Sequence, residues 1–304
     1  MDTEPVGHVA RVRRFNRTVT QRVGALQDHY LARDRPLGAS RVLWEIGADG
    51  CDLRVLRSRL GLDAGYLSRL LRSLESDGLV TVGVSERDGR VRTAQLTARG
   101  RRERRLLDRR SDDLAASLLD PLSATQQAAL VEAMDRVDRL LTASLVTIDV
   151  VDPATPDAQT CLAAYFAELD QRFDAGFDPD SSLTAGVDEM RLPHGLFVVA
   201  RLHGEPVGCG GVKLYADRPA YIKRMWVSPA TRGLSLGRRL LAELEGLAAA
   251  HGAQAAQLET NRALVEAIAM YRAAGYTEVP PFNDEPYAHH WFEKPLGGAP
   301  VPAG

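Results

Sequence analysis

Residues 232–238 read Arg-Gly-Leu-Ser-Leu-Gly-Arg and open onto a helical run of about fifteen residues ending at His251-Gly252. Small residues let a backbone approach a ligand, and the unsatisfied N–H groups of a helix start hold an anion. Arg232 and Arg238 add cationic partners, so a pyrophosphate suits this loop. A second constellation lies in the N-terminal half. Tyr66, Ser68, Arg69 and Arg72 share a helical face with Ser73, opposite the stripe Leu67, Leu70, Leu71 and Leu74. Such side chains on a helix behind a tight turn are what contact with base edges and phosphates in a major groove requires. A merely solvated helix face has the same composition.

The elements that would position these residues fall into two groups. In the first, Leu53, Leu56 and Leu60 fit a short helix broken by Gly61, Asp63 is an N-cap for the Leu67–Leu74 helix, and Gly78 is its stop. Leu79 to Val84 and Arg92 to Leu96 can then pair as strands around the tip Arg87-Asp88-Gly89-Arg90, where Asp-Gly makes a turn and two arginines project. A basic hairpin after a candidate recognition helix is a wing able to reach a flanking minor groove or the backbone, which favours the DNA reading. In the second group, from Thr147, the order is strand, helix, two or three strands, helix, strand, helix, strand, with central strands Leu196–Leu202, Pro206–Tyr215 and Tyr221–Val227. The expected fold is therefore two domains, a mainly α winged helix-turn-helix over 1–145 and an α/β (α+β) mixed sheet over 146–296, with a disordered tail at 297–304. The junction Leu140–Pro153 has no Gly/Ser-rich linker, so a stiff connection is expected.

The segments "LDAGYLSRLLRSLESDGLV" and "RDGRVRTAQLTARG" resemble the MarR family of winged-helix regulators over roughly residues 5–145. The resemblance implies wing contacts by Arg87 and Arg90, with Asp88 orienting the wing. It also implies a dimerisation layer built from a long first helix (about Val6 to Arg33) and the last two helices (about Ala98 to Leu118 and Ser123 to Ser144). A homodimer would read double-stranded DNA at half-sites about one turn apart. The family further implies a small-molecule pocket, whose ligand no residue identifies.

The loop at 232–238, the strand before it, and "NRALVEAIAMYRAAGYTEV" after it resemble the GNAT superfamily over about 147–296, whose loop has the form R/Q-x-x-G-x-G/A. This implies that backbone amides of Arg232, Gly233, Leu234, Ser235, Leu236, Gly237 and Arg238 hold the pyrophosphate of acetyl-CoA. The edge Met225-Trp226-Val227 would pair with its pantetheine, and Asn261 would contact cofactor or substrate. Tyr271, a packing aromatic on the residues alone, matches the family tyrosine that protonates the departing thiolate. Two positions depart from the pattern: Ser235 stands at the middle glycine, and Leu264 stands where an asparagine is usual, seven residues before the tyrosine. The general base is open. Glu259 comes first, with His289, His290 or a water chain behind it, because "AYIKRMWV" lacks the glutamate some relatives use. Asp284 and Glu285 either attract a cationic amine or belong to an exposed acidic loop.

Residues 1–145 carry 25 Arg and no Lys against 20 acidic residues, whereas 146–304 carry 13 basic against 20, giving net charges of +5 and −7. The arginine bias suits phosphate contacts, although genomic composition produces the same bias. Three isolated cysteines, no apolar leader and no long apolar run predict a reduced, soluble, cytoplasmic protein with no metal and no membrane partner. Three accounts follow: a regulator with an active N-acetyltransferase acting on a primary amine, a regulator whose GNAT-like half only senses acyl-CoA, and an acetyltransferase that keeps the winged helix as a dimerisation scaffold.

Overall fold

The computed structural model describes residues 4–26, 30–32, 34–84, 89, 91–182 and 186–297. The chain forms two compact units, 1–134 and 135–304.

The first unit begins with α1 (Glu4–Arg22), α2 (Leu37–Ile46), β1 (Cys51–Asp52), α3 (Leu53–Leu60) and α4 (Ala64–Ser76). It continues with β2 (Val80–Val84), β3 (Arg92–Leu96), α5 (Ala98–Leu119) and the start of α6 (Ala124–Ser144), which runs across the division. The expected first helix to Arg33 is shorter. It stops at Arg22 because Gly24 takes a left-handed φ of 68°, and residues 23–26 turn before a 3₁₀ turn at Tyr30–Ala32. Strands β1, β3 and β2 form a small antiparallel sheet in that order. Leu67, Leu70, Leu71 and Leu74 of α4 are buried in one core with Val42, Leu43, Leu56 and Leu107. Asp63 caps α4 as expected, its Oδ1 accepting from the Tyr66 N–H at 2.9 Å.

The second unit contains β4 (Thr147–Val151), α7 (Pro156–Arg172), β5 (Gly195–Leu202), β6 (Glu205–Lys213) and β7 (Ala220–Val227). After these come α8 (Leu236–Ala250), β8 (Ala255–Thr260), α9 (Val265–Ala273), β9 (Thr277–Val279) and β10 (His290–Pro295). The strands make one sheet of seven in the order β4-β5-β6-β7-β8-β10-β9, antiparallel except between β7 and β8. One face packs on Leu236, Leu240, Leu241 and Leu244 of α8, and a second cluster places Ala158 and Cys161 of α7 against Phe197, Val199 and Cys209. No helix among the described residues is long and apolar enough to cross a membrane.

Candidate functional site

Strands β7 and β8 pair only at Ala220 with Ala256 and Tyr221 with Gln257. Beyond that point β8 stays bonded to β10 and β7 to β6, so the two parallel strands part and leave a wedge in the middle of the sheet. The wedge matters because it frees one edge of β7, and a free strand edge can bond an extended ligand.

A cleft of about 540 Å³ occupies the outer part of the wedge, lined by Met225, Trp226 and Val227, by the loop that opens α8, and by Ala267, Met270 and Tyr271 of α9. Loop residues Arg232, Gly233, Ser235, Leu236, Gly237 and Arg238 reach it; Leu234 does not line it, and the buried Leu236 anchors the loop to the core. Gly233 takes φ 86°. At Gly237 a Cβ would stand 2.9 Å from Met270 Sδ, so glycine lets α8 start close to α9. Ser235 is the N-cap of α8 yet makes no side-chain cap, leaving the first N–H groups of the helix available. Its φ of 58° is the left-handed conformation that glycine adopts freely. An uncapped helix start at the mouth of an elongated cleft fits the phosphate end of a coenzyme A.

The two loop arginines differ. Arg232 Nη2 donates to Glu168 Oε1 of α7 at 2.5 Å, and the same carboxylate accepts from Trp226 Nε1 at 3.0 Å. Arg232 thus ties the loop to α7, because α7 brings a carboxylate within reach. Arg238 donates to Ser235 Oγ at 3.1 Å and stays exposed beside the helix start.

A second cavity of about 100 Å³ lies deeper in the wedge and shares Tyr165, Met225, Leu264, Ala267 and Tyr271 with the first. Tyr271 therefore stands at their junction. Burial, chiefly, pushes its pKa up, so at neutral pH it is a phenol that donates. Glu259 lines the inner cavity at the end of β8, with Lys223 Nζ 3.5 Å away. Burial raises its pKa above the usual carboxylate value despite the opposing lysine. His289 and His290 line neither cavity, and His290 Nδ1 sits 2.7 Å from Glu278. Glu285 is buried on the inner cavity with its Oε2 3.3 Å from Lys223, whereas Asp284 is exposed. Asn261 also lines the inner cavity, its amide donating to the Tyr287 carbonyl at 2.8 Å and its Oδ1 accepting from the Ala263 N–H at 2.9 Å. Both polar ends of Asn261 thus hold the cavity wall, away from the phosphate loop.

Sequence reasoning passed over Tyr165, Lys223, Arg224 and the rings of Phe166, Phe173, Phe177 and Tyr287, which touch one another with centroids 4.8–5.9 Å apart. The signal was present for two of them: Lys223-Arg224 are adjacent cations inside an apolar strand.

In the first unit, Ser68, Arg69 and Arg72 are exposed on α4. Arg69 lies 5.6 Å over the Tyr66 ring, and Arg72 Nε donates to the Ser68 carbonyl at 3.3 Å. Tyr66 is 37% exposed and its hydroxyl also abuts Gly38 of α2, where an added Cβ would lie 3.0 Å away. The expected wing residues Arg87, Asp88 and Arg90 lie outside the described residues.

Residues 163–276 match the acetyltransferase (GNAT) family, and residues 34–91 match the MarR family. An IAA acetyltransferase of Azospirillum brasilense is 34% identical over 143 residues, 45% of this chain and 92% of that protein. The N-alpha-acetyltransferase RimI of Mycobacterium tuberculosis is 35% identical over 137 residues, 44% of this chain and 80% of that protein. A solved structure of the PcaV transcriptional regulator from Streptomyces coelicolor with its natural ligand is 28% identical, covering 45% of this chain and 92% of that one with a TM-score of 0.34. The chain belongs to the GNAT acetyltransferase family and carries, ahead of that region, a MarR-family winged helix.

Proposed function

We propose that this protein is a homodimeric, cytoplasmic transcription regulator whose C-terminal region transfers an acetyl group from acetyl-CoA to a primary amine. The carrying observation is the meeting of two cavities at Tyr271, one reaching the uncapped start of α8 and the other lined by Glu259. We assign 1–145 to DNA binding and dimerisation and 146–296 to catalysis, since α6 ends at Ser144 just before β4 begins.

Acetyl-CoA supplies the activated acyl group as a thioester. The first N–H groups of α8 and Arg238 take its pyrophosphate, and the free edge Met225–Val227 bonds its pantetheine. The Val227 N–H polarises the acyl carbonyl. Glu259 accepts the proton that the attacking amine gives up, directly or through water; its raised pKa makes it a stronger base than an exposed carboxylate. Tyr271 donates to the departing sulfur. Holding amine and acyl group side by side lowers the entropic part of the barrier.

Release of free thiol from acetyl-CoA across a panel of primary amines tests the enzymatic half. Calorimetric titration with acetyl-CoA tests the cleft, and no heat up to millimolar ligand removes the coenzyme from the account. A second reading, a regulator that senses acyl-CoA without turnover, is favoured by the left-handed Ser235 and by Leu264 in the asparagine position. A gel shift on adjacent genomic DNA, with and without acetyl-CoA, separates the readings. A cofactor-dependent shift without thiol release establishes the sensor, and no shift at low salt leaves the winged helix as a scaffold.

A further inference from the structure

We infer that the acceptor is a small free amino acid, bound with its carboxylate on Arg224 and its amine beside Glu259. This rests on the acetyl-transfer reading and names the substrate class of the same site.

Size comes first. The inner cavity of about 100 Å³ is smaller than the about 150 Å³ void that accepts a benzene ring, so the part of the acceptor seated in it is compact. Tyr287 and the phenylalanines around it narrow the space from one side.

Charge comes second. Lys223 lies between Glu259 at 3.5 Å and Glu285 at 3.3 Å, so this part of the wall sets two carboxylates against one ammonium and welcomes a second cation. Its neighbour Arg224 also lines the cavity, but its guanidinium lies 4.6 Å over the Phe166 ring, and among the described residues no carboxylate comes within ion-pair distance. A bare amine entering here would meet that uncompensated cation. A molecule carrying a carboxylate close to its amine satisfies both walls, and the small volume requires the two groups to share one short skeleton.

Backbone geometry comes third. Arg224 takes a left-handed φ of 60° inside β7, opposite the register shift between Cys209 and Gly211. A side chain other than glycine rarely adopts this conformation. Backbone strain of this kind persists where the surrounding structure holds it, and it collects at ligand sites. The irregularity breaks the alternation of the strand, and both Arg224 and its neighbour Lys223 line the same cavity.

In the transfer the amine nitrogen bonds to the acyl carbon as the carbon–sulfur bond breaks. The amine enters as an ammonium, and Glu259 takes its first proton so that the nitrogen lone pair can attack. The sulfur leaves with the proton of Tyr271, and the second nitrogen proton returns to Tyr271 through water. The products are an N-acetyl amino acid, free coenzyme A and one proton that Glu259 releases to solvent.

The test takes the best amino acid from a panel of all twenty and compares it with its carboxamide and with the decarboxylated amine. The acid is expected to show kcat/KM about 10- to 100-fold above the amide, the range of a hydrogen-bonded ion pair. In Arg224→Gln the acid-over-amide ratio falls toward one, and Arg224→Lys recovers part of it; circular dichroism melts check that both variants fold. Calorimetric titration of the amino acid into protein saturated with coenzyme A reads the site without turnover, and binding is lost in Arg224→Gln. Binding of the amino acid without thiol release keeps this site and removes the acetyl-transfer reading. Thiol release with amide, simple amine or peptide N-terminus as good as with the acid overturns the inference, as does an unchanged acid-over-amide ratio in Arg224→Gln.

Discussion

In the proposed reaction Tyr271 and Glu259 owe their proton affinities to one cause, burial, which disfavours the charged form of each. The tyrosine stays a neutral phenol with a proton to donate, and the carboxylate holds a proton more tightly than an exposed one. Tyr271→Phe should lower kcat by about 100-fold, at the low end for a lost general acid, while the acetyl-CoA Kd changes less than about threefold; equal turnover would remove the hydroxyl from the mechanism. The Glu259 shift has a definite sign. A base works deprotonated, so kcat/KM should fall as pH drops through a value above the ordinary carboxylate range. Glu259→Gln should abolish that limb, leaving only the ionisation of the acceptor amine, and a profile identical to that of the parent would exclude Glu259. Ser235 makes a smaller claim. Relief of its left-handed strain is worth about 1–2 kcal/mol, and the extra freedom of a glycine in the unfolded chain returns about 0.5–1. Ser235→Gly should therefore stabilise the protein by about 0.5–1 kcal/mol in chemical denaturation.

Among the elements, the winged helix depends on one close crossing. Gly100 sits in the first turn of α5, where an added Cβ would lie 2.0 Å from the Leu79 carbonyl oxygen. That same oxygen accepts from the Thr97 N–H at 3.0 Å, and Thr97 Oγ1 in turn caps Gly100 N at 3.0 Å, so helix start and hairpin are locked together. Because the obstacle is backbone, it cannot rotate away. Gly100→Ala should cost about 1–3 kcal/mol and lower the melting temperature, and a neutral result would mean the crossing relaxes freely. In the second unit the comparable device is Arg239, whose guanidinium donates to the Ala143 and Val146 carbonyls at 2.6 and 2.8 Å and so fastens the end of α6 beside the start of α8. It neighbours Arg238 yet serves the fold, a difference that spacing alone does not show.

For the molecule as a whole, two of the long helices, α1 and α6, are the unfinished part of a single chain. Val9, Val12, Phe15 and Val19 of α1 are 37–58% exposed, and α6 buries no residue. Apolar stripes of this kind gain stability when a second surface covers them, which supports the homodimer. Val12→Glu combined with Phe15→Glu should convert dimer to monomer in sedimentation velocity and abolish the gel shift. A variant that stays dimeric would show that α1 lies outside the interface.

The sequence alone determined both architectures and singled out the glycine-bearing loop at the start of α8, because these depend on local signals. A leucine stripe with an Asp63 cap, a Gly-Leu-Ser-Leu-Gly run before a helix, and alternating strands are each written within a few residues of one another. The sequence also named Tyr271, whose role came through resemblance, and Glu259, the first of several candidates for an open general base. Only the tertiary structure decided which charged groups are spent and which remain. Arg232 is taken by Glu168 from a helix sixty-four positions earlier, Asn261 is spent on the Tyr287 carbonyl, and Lys223 is held between Glu259 and Glu285. In the proposed function the loop at the start of α8 would hold phosphate chiefly through its backbone and Arg238, and Arg224 is a cavity cation with no ion pair among the described residues. Parting β7 from β8 creates the cavity that Arg224 lines. That parting is a property of how two strands diverge in a sheet, so no run of neighbouring residues encodes it.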